Sequence, residues 1–594
     1  MNTFLRGKRI FLLAILAMAI SAGNLAAEDK PTPLKHLLKV SIKGSVPEQG
    51  GSMSLFGPAV GASLRELCDS IQKAASDEKV GGLVLDLGSA AVGTAQGQEL
   101  RRALIGFRKS GKKSYCHLAT GGTGSYLLAS ACSEVSLHPA GGLELTGPGA
   151  QFMHFHGLLK KVGVTFQELR MGRYKSALES YTRDEPSEPV LEEMHAILDD
   201  LYEDQVSALA ENRGMKPIVV RGHIDQRMFS PADAKKAGLV DHVEFEDEFL
   251  ARVRGEGDKA MKVVDSTKKK EVKLEGLTGL MTLFNELFGS PKKKAGSKKE
   301  KIALIYALGA ISTGAEGQSL LSFGGMTSET MVKAIRKARE DKTVKAVVLR
   351  VDSPGGSALA SDFIWREIVL TRKVKPVVVS MGNVAASGGY YIACPANWIV
   401  AESGTITGSI GVIGAITSMK GLYDKAGLKV TTITRGKRGD LIDGYGKISP
   451  EGRKLIMKEM QRIYDDFLSH VAKGRKLPKK AVASIAEGRV WTGKQAHKLG
   501  LVDELGGLDT ALAKARELSK TPETAELMIL PESSGGMFDF LPGIRAGALL
   551  ERALQDLPLE ARQALRSVSW ISSALGRERV LAVMPWSFRI RWAD

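Results

Sequence analysis

A chain of 594 residues is too long for one core and implies about three or four domain-sized units. Hydrophobic residues at 43% and charged residues at 25% are ordinary globular values, which excludes wholesale disorder and a polytopic membrane protein. The net charge of +17 favours anionic partners such as an acidic lipid surface, but much of it is concentrated between Lys259 and Lys301 and reads as a solvated linker before a nucleic-acid groove, so no nucleic-acid partner is expected.

At the N-terminus, Arg6, Lys8 and Arg9 precede the apolar run Ile10 to Ile20, and the small residues Ala22, Gly23, Ala26 and Ala27 follow. This order of charge, apolar core and small residues is that of an export signal, and the run is just long enough for an uncleaved anchor. Residues 1–27 are therefore expected to be a signal sequence or membrane anchor, with the body on the extracytoplasmic side.

Beyond it the chain repeats itself. Shifted by 264 positions, Asp77 to Gly172 falls on Asp341 to Gly436 without a gap, matching Val84 with Val348, Ser89 with Ser353, Tyr126 with Tyr390 and Gly147 with Gly411. A second echo, at a shift of 262, sets Ser230 to Asp241 against Thr492 to Asp503. Two domains of one fold follow, residues 37–252 and 300–520, with a lysine-rich linker at 253–299 and a tail at 521–594. In each half, short continuous apolar runs such as Gly82 to Leu87 and Ala346 to Val351 alternate with helical stretches such as Ala360 to Val374, which is the pattern of buried parallel strands in an α/β fold. Leu277 to Phe288 in the linker would form an apolar helical face, and the tail carries arginines with Trp570, Trp586 and Trp592; both suit either a membrane interface or packing on protein.

The second half holds the richest chemistry. Ser353-Pro-Gly-Gly356 ends a buried strand, where a glycine turn can aim backbone N–H groups at a ligand. One βαβ unit later, Ser387 stands at a turn opening a helix, followed by Gly388 and Gly389. A helix N-terminus suits a developing oxyanion, although on spacing alone Ser387 reads better as a plain N-cap serine. The first half has Ser89-Ala-Ala-Val92 and Thr123 at the equivalent positions, so it lacks both the glycine turn and the serine. The histidines are scattered, the four cysteines (Cys68, Cys116, Cys132, Cys394) have no CxxC spacing, and no Walker loop or dinucleotide fingerprint occurs. No metal and no cofactor is expected.

These residues resemble the signal peptide peptidase A family, also called protease IV, in its long two-domain bacterial form. The matching stretches are Arg350 to Gly356, Ala385 to Tyr391, Ile406 to Val412, Gly488 to Gly493 with Gly500 to Asp503, and Met171 to Ala177. The resemblance spans about residues 50 to 520 and implies a tandem duplication of a ClpP/crotonase-like βα-repeat domain. It also implies a serine endopeptidase with a Ser/Lys dyad split between domains: Ser387 as nucleophile and Lys175 as general base. Read alone, Lys175 is an ordinary exposed lysine; its repeat equivalent is Gly439, so each half keeps one member of the pair. The backbone N–H groups of Gly356 and Gly388 are the expected oxyanion donors. The stretch Gly404 to Gly414 would line the groove as an exposed strand or form a core strand with a tight bend. The family further implies hydrophobic peptide substrates such as cleaved signal peptides, small or apolar side chains near the cut, action at the cytoplasmic membrane, and a homotetramer. A crotonase-type acyl-CoA enzyme shares the paired glycine loops and is the alternative, disfavoured by the export signal; a non-catalytic membrane scaffold is the third reading.

Overall fold

The computed structural model describes residues 35–50, 61–257, 260–267, 299–314, 325–436, 445–532 and 581–583, with Gly439 and Leu441. The N-terminal segment 1–27, the apolar stretch 277–288 and the tail tryptophans lie outside the described residues.

Two α/β units follow each other, and the repeat in sequence is a repeat of elements. Strand Val80–Ala91, helix Thr94–Lys109, strand Lys113–Leu118, helix Thr123–Ala129 and strand Glu134–Leu137 recur as strand Val344–Ser353, helix Ala358–Thr371, strand Val377–Ala386, helix Gly388–Ala393 and strand Trp398–Ala401. The long helices Glu188–Arg213 and Pro450–Arg475 correspond residue for residue at the shift of 262. In the first unit a parallel six-stranded sheet runs in the order His242–Val243, Glu134–Leu137, Lys113–Leu118, Val80–Ala91, His36–Ser45, Lys262–Asp265. The second sheet repeats this around Val377–Ala386, Val344–Ser353, Lys301–Leu308 and Glu526–Leu530. The edge strands Lys262–Asp265 and Glu526–Leu530 each pair with the first strand of their unit.

The central strands are apolar on both faces because helices cover both. Ile302 to Ala307 are all buried, and Val347, Leu349, Val379 and Tyr390 join one core while Leu304, Val348 and Val378 join another on the opposite face with Leu508 and Leu512. Helix starts are fixed locally: Ser63 and Glu66 form a capping box, and Thr327 and Ser357 accept N–H groups of Thr330 and Ala360.

Among the contacts that join the units in the described residues, three stand near the site. A third sheet runs in the order Gly325–Thr327, Ala310–Ser312, Gly355–Ser357, Leu581–Val583, Val412–Ser418, Thr165–Met171. Its last pair is antiparallel across the boundary, from Met171 opposite Val412 to Thr165 opposite Ser418. Asn383, on the strand leading to Ser387, accepts the N–H groups of Ala95 and Gln96 at 3.1 and 3.3 Å. Arg350 is fully buried and donates to Glu48 (2.8 and 3.1 Å) and Glu99 (2.6 Å) of the first unit, and to Ser380 Oγ (2.8 Å) and the Met381 carbonyl (3.2 Å) of its own. All five guanidinium N–H groups are thereby satisfied. Arg350→Met would strand two buried carboxylates, so we expect a loss of about 3–5 kcal/mol in urea unfolding. A midpoint within error of the wild type would show that this cluster does not hold the units together.

Candidate active site

The strand Val344–Ser353 pairs with Val377–Ala386 up to Ser353 opposite Ala385, which sets the glycine turn beside the loop that carries Ser387. Ser353 Oγ accepts the Gly355 N–H at 3.1 Å and shapes the turn. Gly356 has φ +157°, and a Cβ there would overlap the carbonyl oxygen of Ile311 and lie 2.7 Å from its nitrogen. Only glycine fits this approach. A Cβ on Gly389 would meet the Ser353 carbonyl at 2.7 Å, so the helix that begins at Gly388 is pressed against the same turn. The two expected oxyanion donors therefore sit on neighbouring backbone segments, although the sequence places them 32 positions apart. Asp352 accepts the Val384 N–H at 2.9 Å, and burial, with the Glu48 charge adding to it, pushes its carboxyl up to about 7.

Ser387 occupies the N-cap position of helix Gly388–Ala393, but its side chain makes no capping bond. Its N–H donates to the Gly408 carbonyl at 2.8 Å, and its carbonyl accepts the Tyr391 N–H. The backbone is held at φ 55°, ψ −113°, a conformation unusual for a residue with a side chain and one that the surrounding bonds must maintain.

Lys175 comes from the other unit. It follows strand Thr165–Met171 in a turn closed by Lys175 N–H to the Gly172 carbonyl, while Tyr174 N–H donates to the Glu487 carbonyl across the boundary. A Cβ on Gly172 would overlap the Glu487 backbone, and one on Gly488 would lie 2.6 Å from the Lys175 Cβ. Two glycines thus allow backbone to pack on backbone where the lysine enters. The expectation for an isolated lysine, exposure to solvent, does not hold: Lys175 is fully buried. Its Nζ lies 2.8 Å from Ser387 Oγ, 2.7 Å from Ser409 Oγ and 2.9 Å from the Ser409 carbonyl oxygen.

Burial holds this amine well below the usual lysine value, against the opposing pull of Glu193. An uncharged amine has two N–H groups and one lone pair. With the two Ser409 oxygens as acceptors, the lone pair is left for the Ser387 hydroxyl. The geometry is that of a base positioned on an alcohol.

Ser409, Glu193 and Gly488 are the site residues to which sequence reasoning assigned no role. Ser409 lies within the Ile406 to Val412 motif and is held at φ 52°, with its N–H on the Arg489 carbonyl. It divides Gly404 to Gly414 into two buried strands, Ile406–Gly408 and Val412–Ser418, rather than one exposed strand. In the first unit Thr123 is buried and its hydroxyl donates to the Thr146 carbonyl at 3.2 Å.

Comparison with known proteins gives the family. The family model "Peptidase family S49" matches twice, over residues 106–259 and 370–521. The chain is 35% identical over 531 residues to a chloroplastic serine protease SPPA of Arabidopsis thaliana, covering 88% of this chain and 75% of that one. It is 33% identical to a protease 4 of Salmonella typhi, covering 77% and 72%. A putative signal peptide peptidase SppA of Enterococcus faecium matches at 34% identity, over 45% of this chain and 78% of its own length. The duplicated α/β fold and these relatives together establish that the chain belongs to peptidase family S49 and is a serine peptidase.

Proposed function

We propose that Ser387 and Lys175 form a Ser/Lys dyad that hydrolyses hydrophobic peptides, cleaved signal peptides among them, at the extracytoplasmic face of the cytoplasmic membrane. The observation that carries this reading is the 2.8 Å approach of a fully buried lysine amine from one unit to a serine hydroxyl of the other. The neutral amine takes the Ser387 proton as Oγ attacks the peptide carbonyl, and it hands that proton to the leaving amine. The resulting acyl-enzyme is opened by a water that the same amine deprotonates. The N–H groups of Gly356 and Gly388 would hold the oxyanion, each such donor contributing about 3 kcal/mol to lowering the barrier. The membrane location is supported by the pattern from Arg6 to Ala27, and the substrate class and a tetrameric assembly by the family resemblance.

A fluorophosphonate probe is expected to label Ser387 stoichiometrically, and detergent-solubilised protein to cleave a quenched apolar peptide. In Ser387→Ala, labelling should vanish and turnover fall about 10⁴-fold or more. A label on another residue, or none together with a rise in melting temperature on adding coenzyme A, would favour the acyl-CoA reading instead.

A further inference from the structure

The repeat lets the packing of one unit be checked against the other, and in one place the two differ. In the second unit, helices Ala358–Thr371, Gly388–Ala393 and Pro450–Arg475 meet through an aromatic cluster. Trp365 stacks on His470 with ring centroids 3.6 Å apart, and Tyr391 packs against Phe467 at 4.6 Å and His470 at 5.4 Å. Shifted by 264 or 262 positions, Trp365, His470, Tyr391 and Phe467 fall on Arg101, Ala208, Leu127 and Gln205. No ring remains at any of them. The counterpart helices of the first unit, Thr94–Lys109, Thr123–Ala129 and Glu188–Arg213, enclose a cavity of about 440 Å³, and all four residues line it. That volume is within the usual range of small-ligand sites.

The far wall of the cavity belongs to the second unit, through Glu402, Ser403, Leu505 and Gly506. Gln98 ties this wall in place, accepting the Gly404 N–H at 2.9 Å and donating to Ser403 Oγ at 2.8 Å. The Arg101 guanidinium is engaged by Glu211 and by Asn212 Oδ1 (3.1 Å), so its charge is already answered. Gln205 is different. It is 2% exposed, and its Nε2 donates to the Thr146 carbonyl at 2.9 Å, which fixes the orientation of the amide. Its Oε1 is buried with no hydrogen-bond partner among the described residues, a state that folded proteins avoid.

We infer that this cavity is a binding site for an indole-like group, a flat aromatic ring system carrying one N–H donor. The ring takes the space that Trp365 and His470 fill in the second unit and packs on Leu127, Leu128 and Leu201. The N–H supplies the donor that Gln205 Oε1 lacks. Because both units line the cavity, a bound ring also resists their separation. Free indole and a tryptophan side chain on a peptide share this chemistry. The site is independent of the Ser387 and Lys175 assignment.

Titration calorimetry of the full-length, detergent-solubilised protein with indole tests this. Binding is expected with a Kd on the order of 0.1 mM, and millimolar indole should raise the melting temperature by about 2 °C. Benzofuran has the same shape with an oxygen in place of the N–H, and should bind roughly tenfold more weakly. In Gln205→Leu that difference should vanish, with benzofuran binding as it does to the wild type; the Thr146 carbonyl keeps the Thr123 hydroxyl. Ala208→Trp fills the cavity from its own wall and should abolish indole binding, with a melting temperature no lower than that of the wild type. N-acetyltryptophanamide binding as tightly as indole would support a peptide-borne tryptophan as the ligand, and much weaker binding would support the free ring. No indole binding, indole binding no tighter than benzofuran in the wild type, or binding that Ala208→Trp leaves unmoved would each overturn the site.

Discussion

Lys175→Met is expected to abolish acyl-enzyme formation at Ser387 while leaving the protein at least as stable at neutral pH. Methionine fills nearly the same volume but has no lone pair to receive a proton, so turnover should drop with the serine still in place. Stability should move the other way. In the unfolded chain the amine is charged up to about pH 10.4, whereas burial holds it well below that value in the folded state. Between the folded pKa and the unfolded one, the unfolded state binds more protons, so wild-type stability rises with pH across that window. Below it the wild type carries a burial cost of about 1.4 kcal/mol for each unit of depression. Removing the amine leaves Ser387 Oγ, Ser409 Oγ and the Ser409 carbonyl each short of one partner, a combined loss of about 3 kcal/mol, which a depression of a little over two units offsets. Thermal melts of both proteins at several pH values check this: the wild-type midpoint should climb towards that of Lys175→Met as the solution becomes alkaline. The kcat/KM of the wild type should rise with pH and level off well below the ordinary lysine value. Parallel melting curves and a rate still climbing near pH 10 would show a lysine that stays charged.

Gly356→Ala is the second large effect. The new methyl would overlap the Ile311 carbonyl, which is backbone and cannot swing aside, so the turn itself must shift. Losing one aligned donor costs about 3 kcal/mol, a fall in kcat of about 10²- to 10³-fold. The pH inflection set by Lys175 should survive, because the amine and both serines keep their contacts. Turnover within a few-fold of the wild type would show that this N–H does not face the reacting carbonyl.

Much of the fold was legible because the physics is local and was written twice. Continuous apolar runs bounded by turn residues can be buried only as strands covered on both sides, and the shifts of 264 and 262 align helix with helix. Ser387 and Gly356 were legible as candidates, since glycines at the end of a buried strand leave backbone N–H groups open to a ligand. Lys175 was visible only through the family resemblance, because its amine meets Ser387 and Ser409 and its backbone packs on Gly488, all from the other unit, which no local pattern encodes. Ser409 escaped for a related reason: its role depends on a side chain 234 positions away. Arg350 belonged to a recognised motif, yet its partners Glu48 and Glu99 are as distant, so nothing in the motif itself announced a clamp between units.

The separation of Lys175 from Ser387 by 212 positions also has a bearing on synthesis. In the proposed dyad, the portion made first carries a proton acceptor with nothing to activate, and the portion made second carries an alcohol that is inert until the acceptor arrives. On that reading neither portion alone is expected to attack its neighbours. Catalytic competence is then expected only once both portions have assembled, which would make the onset of hydrolysis a timer for completed maturation.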